Sequence, residues 1–206
     1  SFFHSMNAPE VFQLNPPEAP LDEVLRYMGA KPVGTSVCQL AGNALQTVQS
    51  AAQCKACFLR LPLLRSDKTI HAGSLVLKSE GLSKNLKGCA EVFLFAATLG
   101  HAVDREIASA AFLSPAKALA LDAAATALIE SVCDAICTRL SASAESPLRP
   151  RFSPGYGDLP LSTQKPIAEL LRMATLLGAS LSSDYIFRPA KTVTAFAGIC
   201  YEVTKS

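Results

Sequence analysis

Two groups of residues in this chain carry side chains suited to gripping a small charged ligand. The first is the run Arg151-Phe152-Ser153-Pro154-Gly155-Tyr156-Gly157-Asp158-Leu159-Pro160-Leu161. Arg151 offers a planar fork of donors that matches a carboxylate in bidentate fashion. Tyr156 adds a flat face and one hydroxyl. Pro150, Pro154 and Pro160 preset the backbone and remove donors, while Gly155 and Gly157 permit positive φ or let a ligand approach the main chain. The same composition also suits a plain connection between a helix and the next element. The second group is Asp122, Thr126, Glu130, Asp134 and Thr138, spaced by four in a segment that is otherwise mostly Ala, Leu, Ile, Val and Cys. On a helix this spacing makes one polar strip. With so apolar a remainder the helix must be nearly surrounded, leaving a narrow wet strip with Glu130 at its middle. A merely solvated face is the ordinary alternative.

Other chemistry is less well equipped. Cys54-Lys55-Ala56-Cys57 has the spacing of redox or zinc pairs, but no second Cys-x-x-Cys or His pair completes a set of about four ligands. The chain has seven cysteines, an odd number, and Cys133 and Cys137 lie four apart. Together these read as reduced core thiols of a cytoplasmic protein. His71 and His101 have no serine or cysteine at motif spacing. There is no His-x-x-x-His, no phosphate-binding Gly-rich loop and no Gly-x-Gly-x-x-Gly. The residues indicate no catalytic group, metal or cofactor of the chain's own.

The elements that must position these groups follow from periodicity. Residues 1–20, with four prolines, read as an extended arm. The remainder, 21–206, reads as one domain. Helices are expected over 21–28, stopped by Gly29, and over about 36–52. Phe58 to Leu63 is a short apolar strand that Pro62 pushes towards a sheet edge. Ile70 and Leu75-Val76-Leu77 suggest a hairpin, and Ser83 to Leu86 a helical turn ending at Gly88. Glu91 to Thr98 is a nearly continuous apolar run, the mark of a central strand. A helix over 102–110 precedes a long one over 114–140, with Ser114 as N-cap and Pro115 in the first turn. A polar linker, 141–150, leads into the Arg151 loop. Ser162 is placed as the cap of a helix to about Leu176, and strands are expected over 185–187 and 192–203. Helices and strands alternate without a βαβ rhythm, which gives an α+β fold with a mixed or antiparallel sheet.

Half of the 206 residues are hydrophobic and 17% are charged, enough for a sizeable core and against disorder. The net charge of +2 is spread without a basic run, which argues against nucleic acid as a partner. The longest stretch of low charge, 118–129, holds Asp122 and is too short to span a membrane.

The Arg151 loop resembles the S-adenosylmethionine-binding signature of the activation (reactivation) domain of cobalamin-dependent methionine synthase, in its stand-alone form. Further segments occur in the family's order: Leu82 to Cys89 leading into Val92 to Gly100, then Ala127-Leu128-Ile129-Glu130, Leu177 to Leu181, and Pro189 to Ala195. The likeness runs from about residue 20 to 200. It implies a curved sheet decorated by helices, unlike the usual nucleotide-binding methyltransferase fold. It also implies that Arg151 holds the carboxylate of S-adenosylmethionine, and that Glu130 meets its ammonium or ribose hydroxyls. The backbone at Ser153 and Gly155 would lie along the ligand, with Tyr156 packed against it beside a corrin. The implied role is to support reductive remethylation of cob(II)alamin on a cobalamin-dependent methionine synthase, with an electron from a flavodoxin-like donor. No Asp-x-His-x-x-Gly is present, so the cobalamin would come with the partner's cobalamin-binding module. The chain departs from the family at Phe196-Ala197, where an aromatic pair is usual, and it has no counterpart of an N-terminal aspartate. Two alternatives follow: a non-catalytic binding or assembly module that kept the fold and lost the ligand, or a reactivator of another corrinoid methyltransferase.

Overall fold

The computed structural model describes residues 8–29, 34–66 and 69–201. Its centre is the apolar run Glu91–Thr98 (β5), which is buried over nearly its whole length. A strand buried on both faces must have covered neighbours. It pairs antiparallel with Cys54–Ser66 (β2) on one side and Thr192–Ile199 (β8) on the other. Beyond Pro62, β2 pairs with Thr69–Ala72 (β3), which turns through Gly73 into Leu75–Leu77 (β4). The sheet order is β4-β3-β2-β5-β8, and Glu10–Leu14 (β1) pairs with the first part of β2. All pairings are antiparallel, in line with the α+β expectation.

Strand periodicity divides the core in two. Cys54, Ala56, Phe93, Phe95, Ala97, Ala195 and Ala197 face a layer of four helices. These are Leu21–Tyr27 (α1), Thr35–Ala51 (α2), His101–Leu113 (α4) and Pro115–Ala144 (α5). Cys57, Leu59, Leu61, Val92, Leu94 and Phe196 face the other way. Glu80–Asn85 (α3), Gln164–Leu170 (α6) and Met173–Leu177 (α7) cover that side. A small hairpin of Ser180–Leu181 (β6) and Phe187–Arg188 (β7) stands apart.

α5 starts as its sequence dictates. Ser114 Oγ accepts from the Lys117 N–H at 3.2 Å, and Pro115 fills the first position. Leu121, Leu128 and Ile136 are fully buried, each contributing about 1.5–3 kcal/mol by leaving water. The helix outruns its expected end by a turn and stops at Ala144. Glu145, at φ 50°, then makes a left-handed cap.

Several expectations are corrected. Within the arm expected over 1–20, residues 10–14 are extended as β1 and join the sheet. Pro62 does not mark a sheet edge. It pairs with Glu91 in the interior of β2. Its missing donor falls in the gap between β1, whose first residue Glu10 lies opposite Phe58, and β3, whose last residue Ala72 lies opposite Leu63. The helix expected from Ser162 has no side-chain cap. It begins as a 3-10 turn, Leu161–Thr163, and breaks at Arg172, which sits at φ 51° between α6 and α7. β8 ends at Ile199, and positions 202–203 of the expected strand lie outside the described residues.

Candidate functional site

The flank of β8 away from β5 is covered only in part. Residues 147–152 lie along it as a short ribbon. Cys200 N–H donates to Pro147 O (3.0 Å) and Arg149 N–H to Gly198 O (2.8 Å). Phe152 and Phe196 exchange both backbone bonds, at 2.9 and 2.8 Å. So the expected polar linker is a last turn of helix followed by an added edge strand. The ribbon carries one extra residue between its two bridges, Leu148 opposite Ile199 and Phe152 opposite Phe196, and beyond that bulge the adjacent residues Arg151 and Phe152 point to opposite faces. Phe152 turns towards α3 and packs against the second core. There an added Cβ on Gly81 would lie 3.0 Å from Phe152 Cζ. Arg151 therefore turns towards α5.

The Arg151 fork is split between two acids of the α5 strip. Nη2 donates to Glu130 Oε2 at 2.7 Å and Nη1 to Asp134 Oδ1 at 2.5 Å. The Arg151 side chain is 22% exposed, against 43% for Glu130 and 73% for Asp134. Burial disfavours the guanidinium charge. The Asp134 hydrogen bond and the neighbouring negative groups outweigh it, and they hold the proton more firmly than usual. Two turns earlier a second cation repeats the pattern. Lys191 Nζ lies 2.9 Å from Asp122 Oδ1 and 3.0 Å from Thr126 Oγ1. The strip is thus not a bare solvated face. It is a row of acids bridged by cations from the residue before β8 and from the ribbon beside it.

Beside Arg151 is an open cleft of ≈ 410 Å³ lined by Asp134, Cys137, Pro150, Arg151 and Tyr156. The Tyr156 ring is 54% exposed and meets Phe152 edge-on at 6.1 Å. The loop that carries it is held from within. Tyr156 N–H donates to Ser153 O, Gly155 N–H to Leu159 O (2.8 Å), and Leu159 N–H to Tyr156 O. Gly155 takes φ 91°, a conformation that favours glycine. The Ser153 residue is buried. Arg151 and Tyr156 therefore line one cleft, Glu130 touches Arg151 behind it, and the Ser153 carbonyl and Gly155 N–H are engaged within the loop. Glu130 is half-exposed, and it joins the cleft through Arg151 rather than lining it.

Sequence reasoning gave Asp158 no role, yet it anchors the loop. Its carboxylate accepts from Ser79 Oγ (2.5 Å) and from the N–H groups of Glu80 (2.6 Å) and Gly81 (3.0 Å) at the start of α3. Those bonds, Ser79 first, hold its carboxyl down at about 2. Asn85 Nδ2 donates to Pro150 O, and Arg149 to Lys87 O. The segment 79–87 is thus the platform on which the loop sits. These contacts join residues more than 60 positions apart, and no local pattern announces them.

The remaining candidates have structural places. Cys54 and Cys57 stand on opposite faces of β2, one in each core, so they cannot share a metal or a bond. Burial pushes their thiols up to about 11 and about 12. His101 Nε2 lies 3.2 Å from Gly178 O, and His71 sits in β3 with Thr69 as its neighbour at 3.5 Å. Among the described residues no group of three or more His, Cys, Asp and Glu is placed to hold a metal ion. No helix there is long and apolar enough to cross a membrane.

No protein-family model matches this sequence, and no curated protein matches it. Solved structures do resemble it. A crystal structure of the MetH reactivation domain bound to AdoHcy aligns with a TM-score of 0.70 at 15% identity, covering 98% of this chain and 81% of that one. The chain thus has the fold of a methionine synthase activation domain.

Proposed function

We propose that this chain binds S-adenosylmethionine at the Arg151–Glu130–Tyr156 site and supports reductive remethylation of cob(II)alamin on a separate cobalamin-dependent methionine synthase. The observation that carries the reading is the Arg151 fork shared between Glu130 and Asp134 at the mouth of a cleft beside an exposed tyrosine. The amino-acid end of the ligand is a zwitterion. Arg151 can exchange one internal carboxylate for the ligand's carboxylate, and the released acid then receives the ligand's ammonium. Ion pairs are traded rather than lost, which keeps the desolvation cost low. One arginine against two acids leaves a local charge of −1, matched to the net +1 of S-adenosylmethionine. The Tyr156 face is suitable company for a sulfonium cation. The solved structure of this fold carries AdoHcy, the species left when the methyl group departs.

The chain needs no nucleophile in this role. A partner's corrin, reduced by a flavodoxin-like donor, would supply the methyl acceptor, and this chain's residues would present the sulfonium methyl group to it, with S-adenosylhomocysteine left in the cleft. The chain's residues hold the sulfonium and keep its methyl group facing outward, a contribution of positioning and electrostatics. Tyr156, exposed at the mouth of the cleft, is the side that would meet the partner's cobalamin-binding module.

A second reading has its own support. Both terminal nitrogens of Arg151 and the Gly155 N–H already have partners within the chain, as in a binding or assembly module that no longer takes the ligand. Calorimetric titration with S-adenosylmethionine separates the two. Saturable one-to-one binding that Arg151→Ala weakens supports the first reading, and absence of binding leaves the second.

A further inference from the structure

Cys89 and Cys200 lie at the same end of the sheet, one just before β5 and the other just after β8. Because Glu91 pairs with Ile199, these two residues flank one rung of the β5–β8 ladder diagonally. Their sulfurs are 3.9 Å apart. Cys89 is buried, whereas Cys200 is half-buried and open to small reagents. The surroundings are tight: a Cβ on Gly198 would come within 2.7 Å of Cys89 Sγ and within 3.3 Å of the Arg149 side chain. The Arg149 side chain, whose guanidinium donates to Lys87 O at 2.9 Å, passes beside the pair. Burial and then Cys89 raise the Cys200 thiol pKa, and Arg149 offsets only part of that rise.

We propose that Cys89 and Cys200 form a reversible disulfide, a thiol modification site independent of the ligand reading above. A disulfide needs sulfurs about 2 Å closer than they stand here. Cys200 is half-buried and lies one residue past β8, so the approach calls for a side-chain rotation and not a break in the ladder. The co-reactant is a low-molecular-weight disulfide of the glutathione type. The Cys200 thiolate attacks one sulfur of the reagent, and one reagent thiolate leaves. The Cys89 thiolate then attacks Cys200 Sγ, and the second reagent thiolate leaves. The two protons lost from the protein end on the two reagent thiols. The protein is oxidised by two electrons, and the reagent is reduced by two.

Position gives the bond a structural consequence. The Cys200 N–H holds Pro147 O, and its carbonyl accepts from Ser146 Oγ at 2.6 Å. The staple therefore pins the root of the ribbon that carries Arg151.

The test uses the full chain equilibrated in glutathione buffers of increasing oxidation, alkylated, and digested with trypsin without reduction. The expected product links peptides 88–105 and 192–205, each of which contains one cysteine. Its mass is about 2 Da below their sum, and dithiothreitol removes it. Cys200→Ser should abolish it. Cys89→Ser should leave Cys200 carrying glutathione, since the resolving thiol is gone. Intact Cys200–glutathione adducts in the unmutated chain overturn the proposal. So does a different cysteine pair forming first, or both thiols remaining free in the most oxidising buffer.

Discussion

Arg151 and Glu130 are joined at 2.7 Å across the seam between the β8 ribbon and α5. Neither residue is held by its own element alone. The ribbon's pairing with β8 sets the direction of Arg151, and the helical repeat sets the direction of Glu130. The pair is therefore a product of tertiary structure and not of either segment.

Arg151→Ala should weaken S-adenosylmethionine binding by on the order of 1.5–3 kcal/mol, about tenfold to a hundredfold, through loss of a charge-assisted contact. Arg151→Lys should recover part of this, because it restores the charge but not the fork. Calorimetry reads both. Far-ultraviolet circular dichroism should stay unchanged, since the ribbon's backbone bonds to β8 do not depend on the side chain.

The charge match makes a separate prediction. S-adenosylhomocysteine lacks the sulfonium charge, so it should bind more weakly than S-adenosylmethionine at low ionic strength. Added salt should narrow the gap. Equal affinities at every salt concentration would remove the acidic strip from the account of recognition.

Cys137 lines the cleft beside Arg151 and is half-buried. Burial raises its thiol pKa, so alkylation by a maleimide should be slow but measurable. Saturating S-adenosylmethionine should slow it further at Cys137 and leave Cys38, outside the cleft, unaffected. Peptide mass spectrometry over time distinguishes the two sites.

Tyr156→Ala should slow methyl transfer to a partner's cobalamin more than it weakens ligand binding. The ring is more than half exposed and makes one edge contact, with Phe152. Its loss should therefore cost little stability. The cobalamin absorption spectrum, followed with a reductant and a synthase lacking its own activation domain, reports the rate.

Asp158 makes stability depend on pH in a defined sense. Its carboxyl is lowered to about 2 in the folded chain, against roughly 3.9 when unfolded. The stabilisation is therefore fully present above about pH 4 and is lost as pH falls through about 2. Asp158→Asn removes the charge and turns an amide towards N–H donors. Urea unfolding should find Asp158→Asn less stable than the parent chain at pH 7, with the gap closing by about pH 2.

Much of the scaffold was legible from local pattern. The Glu91–Thr98 run, the Ser114-Pro115 helix start and the strip from Asp122 to Thr138 are each short-range signals, and each lies where the sequence places it. The Glu130–Arg151 meeting was legible only through the family resemblance. What stayed hidden depends on distant partners. Pro62 reads as an edge residue because its missing donor is visible in sequence, whereas the gap between β1 and β3 that absorbs it is not. Asp158 has no role until the chain returns Ser79, Glu80 and Gly81 to it. The break at Arg172 lacks the glycine or proline that would announce it.

The opposite orientations of Arg151 and Phe152 on the ribbon constrain how this region can vary in length. A single inserted or deleted residue between the end of α5 and Arg151 shifts the pairing with β8 by one step. That turns an aromatic ring towards the acids and a guanidinium into the apolar pocket over Gly81. A change of two residues restores both directions. Natural length variation in this connector should therefore favour even changes, and an odd change needs a bulge like the one already lying between Leu148 and Phe152 to take it up.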